Sequence, residues 1–93
     1  MPTLSDRETE LLRAIIEEYT TTADPVGSET IEKKYPKLGV SPATIRNEMV
    51  RLTKMGYLAQ PHTSSGRIPS SMGLKFYINQ LMKEKELSTA EEV

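Results

Sequence analysis

The sequence predicts a mostly α-helical fold carrying a small β-hairpin wing, a winged helix-turn-helix. Three observations predict it. Apolar residues recur at helical spacing in four segments, each opened or closed by Ser, Pro or Gly. The second and third segments are joined by a connection of only a few residues, Pro36 to Val40, as in a helix-turn-helix. After Gly56 the period shortens to that of a strand, and Pro61-His62-Thr63-Ser64-Ser65-Gly66 is dense in turn formers.

Ser5 and Glu8 form the capping box S-x-x-E and open the first helix. Leu11, Leu12, Ile15, Ile16 and Tyr19 give it a broad apolar stripe, ending near Thr20 to Thr22; Glu10, Glu17 and Glu18 read as its solvated face. Asp24-Pro25-Val26-Gly27 is a turn, with Val26 able to add one short edge pairing. Ser28 is expected to cap a second helix through about Tyr35, burying Ile31 and Tyr35. Ser41 suits the cap of the third helix, with Pro42 at its first position, where the missing N–H costs nothing. Ile45, Met49 and Leu52 form its dry stripe; Ala43, Arg46, Asn47, Val50, Arg51 and Lys54 lie on or beside the opposite face. Gly56 fits the left-handed residue that closes a helix, followed by the apolar contact of Tyr57.

Tyr57 to Gln60 and Arg67 to Pro69 are the two arms of the hairpin, with Arg67 expected at its polar tip. Pro61 and Pro69 limit the ladder to a marginal two-stranded edge. The last helix is expected from Ser70 or Ser71 to about Lys85, with Leu74, Tyr77, Ile78 and Leu81 inward and Phe76 and Met82 flanking, either as core or facing a partner. Residues 1–86 are read as the folded domain and 87–93 as a polar, frayed tail.

At 93 residues the chain supports one small core and little room for a deep catalytic cavity. The absence of cysteine excludes disulfides and thiolate chemistry. His62 is the sole histidine and has no second ligand at metal spacing; Ser64 and Ser65 beside it lack the acid of a hydrolytic triad. No catalytic residue, cofactor or metal is expected, nor a small-molecule ligand. No apolar run approaches the roughly 18 residues of a membrane span, and the acidic start lacks the apolar core of a signal peptide, so a cytoplasmic location is expected.

The net charge of −1 hides a segregation. Residues 1–32 sum to −6, residues 33–83 to +8 and residues 84–93 to −3. Screening confines interactions to about 8–10 Å at physiological salt, so a polyanion responds to the local block rather than to the total. The basic block contains the third helix and the hairpin, which points to a nucleic acid, with double-stranded DNA the expected one for a helix-turn-helix. An interaction module for another protein, or for RNA, is the alternative; few aromatics stand where bases would stack on them.

SPATIRNEM, then GYL-QPHTSSGRIP, then GLKFY, with PVGS near the front, resemble the DNA-binding domain of the HrcA heat-shock repressors, from about Leu4 to Met82. The pair ATIRNEM and PHTSSGR at this separation is highly specific. The resemblance implies a winged-helix domain that binds an inverted-repeat operator as a homodimer and represses chaperone genes. It also implies that such repressors continue into large dimerisation and sensing domains absent from this chain. On that reading Pro42 to Met55 is the recognition helix, entering the major groove, and Leu58 to Pro69 the wing. Arg46 would pair with guanine and Asn47 with adenine. Ser41, Ala43, Thr44, Arg51 and Lys54 would sit along the same contact, and Thr63, Ser64, Ser65 and Arg67 would extend it from the wing.

Overall fold

The computed structural model describes residues 4–92, with side chains through Leu87. Four helices and one two-stranded sheet follow in the order α1 (Asp6–Thr22), α2 (Ser28–Lys34), α3 (Pro42–Lys54), β1 (Leu58–Ala59), β2 (Ile68–Pro69) and α4 (Ser71–Glu92), with a 3-10 turn at Pro36–Leu38 between α2 and α3. The strands are antiparallel, pairing Leu58 with Pro69 and Ala59 with Ile68.

Helix α1 is the central element. Leu11, Leu12, Ala14, Ile15 and Ile16 are all buried, against Ile31 of α2 and Ile45, Met49 and Leu52 of α3. Its capping box is formed: Glu8 N–H donates to Ser5 Oγ (3.1 Å) and Ser5 N–H donates to Glu8 Oε1 (2.9 Å). Helix α3 is capped as the sequence predicts, Ser41 Oγ accepting from the Thr44 N–H at 3.2 Å. At its far end Gly56 has φ +92°, and Tyr57 N–H reaches back to Leu52 O (3.0 Å), satisfying a carbonyl the helix would leave open. Val26 does form the short pairing: it exchanges both backbone hydrogen bonds with Arg67 (2.8 and 2.9 Å), so the hairpin gains a third rung from the turn before α2.

Four expectations are corrected. Gly27, not Ser28, is the N-cap of α2; Ser28 lies inside the helix, buried, and makes no capping bond. Glu18 is buried, not solvated, and takes a 2.7 Å hydrogen bond from Lys34 Nζ. Helix α4 continues to Glu92, past the predicted end near Lys85, since residues 86–92 contain no Gly or Pro to stop it. Its inner face is also rotated. Gly73, Phe76 and Tyr77 approach the core, Phe76 meeting Tyr57 edge to face at 5.5 Å. Leu74, Ile78 and Leu81, expected inside, are exposed, Ile78 at 53%. Arg13 clamps the middle of α4 to α1 through both oxygens of Glu84 (2.7 and 3.1 Å). Among the described residues no helix is long and apolar enough to cross a membrane.

Candidate nucleic-acid interface

The outer side of α3 is set by the burial of its inner one. With Ile45, Met49 and Leu52 in the core, helical spacing turns Ala43, Arg46, Asn47, Val50 and Lys54 to solvent, and all five are exposed. Arg46, Asn47 and Lys54 have no hydrogen-bond or ion-pair partner among the described residues. Their donors are therefore available without breaking an internal contact. The hairpin stands beside this face. A cleft of about 430 Å³ runs between the start of α2, the Arg46–Met49–Val50 side of α3, and Gln60, Ser65 and Arg67 of the hairpin. Thr63 and Ser65 are exposed on the loop.

The single acid of α3 is turned away from that surface. Glu48 lies on the flank facing α1, where Arg7 Nη2 stands 2.6 Å from its Oε1 and Arg7 Nε donates to the same oxygen at 2.8 Å. Arg51 leans the same way: its Nε stands 2.8 Å from Glu8 Oε2. That oxygen receives no directed hydrogen bond, so the contact is an ion pair only. Arg51 remains largely exposed, so solvent screens its side of the pair. It is thus shared between α1 and solvent rather than dedicated to the outer face.

The hairpin departs further from its predicted layout. Arg67 is not at the tip. It is 7% exposed, at the base of the wing, with Nε donating to Thr53 Oγ1 (3.0 Å) and Nη1 to the carbonyl of Ser65 (2.7 Å). Burial of a guanidinium demands such acceptors, and the carbonyls of the tight loop supply them. Ser64 is also turned inward: its Oγ accepts from the Gly66 N–H at 2.9 Å and fixes the turn. Ser41 and Thr44 face solvent in part, but their hydroxyls bond each other at 3.1 Å at the helix start. The structure therefore brings Ala43, Arg46, Asn47, Lys54, Thr63 and Ser65 onto accessible surface and places Arg67 and Ser64 within the fold.

Sequence reasoning missed Ser28, Thr30 and Gln60, which line the cleft opposite Arg46. The signal for Thr30 was present, since a helix that buries Ile31 turns residue 30 outward next to the following helix. The Glu8 carboxyl does more than cap α1, for it is buried. Its pKa is held below the ordinary carboxylate value, chiefly by the Ser5 backbone N–H, with burial opposing and the Ser5 hydroxyl and the Arg51 and Arg7 charges adding to the depression. A carboxyl depressed in the folded state stabilises fully above its unfolded value, and that contribution is lost as pH falls through the folded one. Glu8→Gln is thus expected to lower Tm at pH 7 and to shrink the loss of Tm below about pH 4.5, measured by thermal melts across pH. Some acid sensitivity remains in the variant, because Arg13 likewise holds Glu84 low.

No family model matches the chain. Curated relatives named heat-inducible transcription repressor HrcA are similar over nearly all of it. The one from Pelotomaculum thermopropionicum is 62% identical over 89 residues, 96% of this chain and 25% of the relative. Those from Desulforamulus reducens and Symbiobacterium thermophilum are 58% and 57% identical, over 97% and 96% of this chain and 26% of each relative. The chain thus spans about a quarter of the length of the curated relatives it matches. A crystal structure described as that of a hypothetical protein, at 2.2 Å resolution, superposes with a TM-score of 0.85 at 40% identity, covering 90% of this chain and 26% of that one.

Proposed function

We propose that this chain, related in sequence to the N-terminal part of the HrcA repressors, is a sequence-specific DNA-binding domain acting in transcriptional repression. The observation that carries the reading is the division of charge on α3. Arg46, Asn47 and Lys54 point outward with no side-chain partner among the described residues, while the helix's one acid is held against Arg7. A surface so arranged attracts a polyanion and presents side chains able to read base edges.

In this reading α3 lies in the major groove with its N-terminus leading, where the positive end of the helix dipole favours phosphate. Arg46 and Asn47 read bases, Lys54 and Arg51 meet the backbone, and the hydroxyls of Thr63 and Ser65 extend the footprint from the wing. The operator is an inverted repeat bound by two copies, and the genes controlled are those of the heat-shock response, following the relatives' name.

The test is selection of bound sequences from a random duplex pool, then titration of the selected duplex against salt. The expected results are a palindromic consensus and a linear fall of log K with log salt, with a slope of about −0.9 per phosphate neutralised. No enrichment, together with no duplex binding at low salt, overturns the proposal. Preferential binding of single-stranded RNA in the same titration would favour the RNA-binding alternative instead.

A further inference from the structure

We propose that Arg67 is the positioning residue of this interface: it fastens the wing to α3 and to the turn before α2, and so sets how the wing addresses a duplex. The inference rests on the DNA-binding reading and deepens it.

The wing is too slight to hold its own angle. Each strand has two residues, and Pro61 and Pro69 donate no backbone hydrogen bond. Arg67 ties together three segments that the ladder does not. Its backbone pairs with Val26 in both directions; its Nε reaches Thr53 of α3; its Nη1 reaches the Ser65 carbonyl at 2.7 Å and the Gly66 carbonyl at 3.4 Å. Thr53 is set to receive it. The threonine hydroxyl donates to Met49 O (2.7 Å), which leaves its lone pairs for the guanidinium. The loop backbone also lies hard against the turn, for a Cβ on Gly66 would stand 3.0 Å from Pro25 C and 3.1 Å from Val26 C. Arg67 is the one wing residue within the described set that bonds to α3 through its side chain. Removing it frees the far wall of the cleft that Arg46 lines.

A lysine separates positioning from phosphate contact. It keeps the charge but has a single nitrogen, with no fork to span Thr53 and the Ser65 carbonyl together. Arg67→Lys and Thr53→Val are each expected to weaken binding of the selected duplex about tenfold, the double variant being no more than threefold worse than the weaker-binding single one. Thr53→Ser, which keeps the hydroxyl, is expected to bind as the parent does. Hydrogen exchange supplies a readout that needs no DNA and tolerates a weakened fold. The amides of Ala59 and Ile68 are expected to lose protection in Arg67→Lys and Thr53→Val while that of Leu52 keeps it. Unchanged wing protection in both variants overturns the proposal. So does parent-like affinity of Arg67→Lys with a silent Thr53→Val, the pattern of a direct phosphate contact. If the parent chain binds no duplex, the functional reading fails while the exchange data still decide the role of Arg67.

Discussion

Gly73→Ala is expected to destabilise the domain by about 1–3 kcal/mol, against the sign that helix propensity alone predicts. Gly73 lies in the first turn of α4, where Ala in place of Gly ordinarily gains about 0.5–1 kcal/mol. Here a Cβ would overlap the backbone carbonyl oxygen of Tyr57. That oxygen is already committed, accepting from Ser70 N–H at 3.1 Å, and Ser70 Oγ caps the helix by accepting from Gly73 N–H at 3.1 Å. Neither partner can retreat without loosening the other. The clash is with main chain, not the far end of a flexible side chain, so α4 must move outward and weaken the contact of Phe76 with Tyr57. For a domain of this size each kcal/mol is worth roughly 4–8 °C in Tm. Thermal melts of Gly73→Ala beside Lys75→Ala, an exposed control on the same helix, measure the effect. A Tm at or above the parent's would mean that α4 does not approach Tyr57 closely.

The same glycine explains which part of the fold was legible in the sequence. Helices α1 and α3 have one apolar stripe each, so periodicity, the Ser5–Glu8 box and the Ser41-Pro42 start set their extent and their main buried face, Glu18 at the edge of the α1 stripe excepted. Helix α4 is apolar on two sides. Phe76 and Tyr77 compete with Leu74, Ile78, Leu81 and Met82, and spacing cannot rank two faces of similar hydrophobicity. What ranks them is close approach. The face containing Gly73 lets the helix axis come down on Tyr57, and the face containing Ile78 does not, which leaves Met82 57% exposed. A small residue at the start of a helix was the available signal. The site was legible to a similar degree. The outward face of α3 follows directly from its buried one, whereas the fate of Arg67 does not. Arginine in a polar loop reads as a surface donor, and only the folded loop shows that its own carbonyls and Thr53 converge on the side chain. Glu48 and Arg51 illustrate the remaining gap: their partners, Arg7 and Glu8, are about forty residues away in sequence, and no local pattern announces a pairing across helices.

Arg46→Ala is expected to cost about 1–3 kcal/mol in binding of the selected duplex, roughly five- to 150-fold in Kd, with discrimination lost at one base-pair position. Arg46 is exposed, has no side-chain partner among the described residues, and borders the cleft between α3 and the wing, so its removal leaves the fold untouched and the stability within about 0.5 kcal/mol of the parent's. Lys54 supplies the contrast. It lies in the last turn of α3, away from the leading end, and as a backbone contact its alanine variant should weaken all duplexes alike while reducing the salt slope by about one. Arg51→Ala should do less than either, because Glu8 already draws that guanidinium toward α1. The ordering follows from geometry and not from charge, since all three substitutions remove one positive unit. If Arg46→Ala instead weakens every operator variant equally and lowers the salt slope as Lys54→Ala does, Arg46 meets phosphate. The base-reading role then passes to Asn47, the next exposed and unpaired side chain toward the outer face.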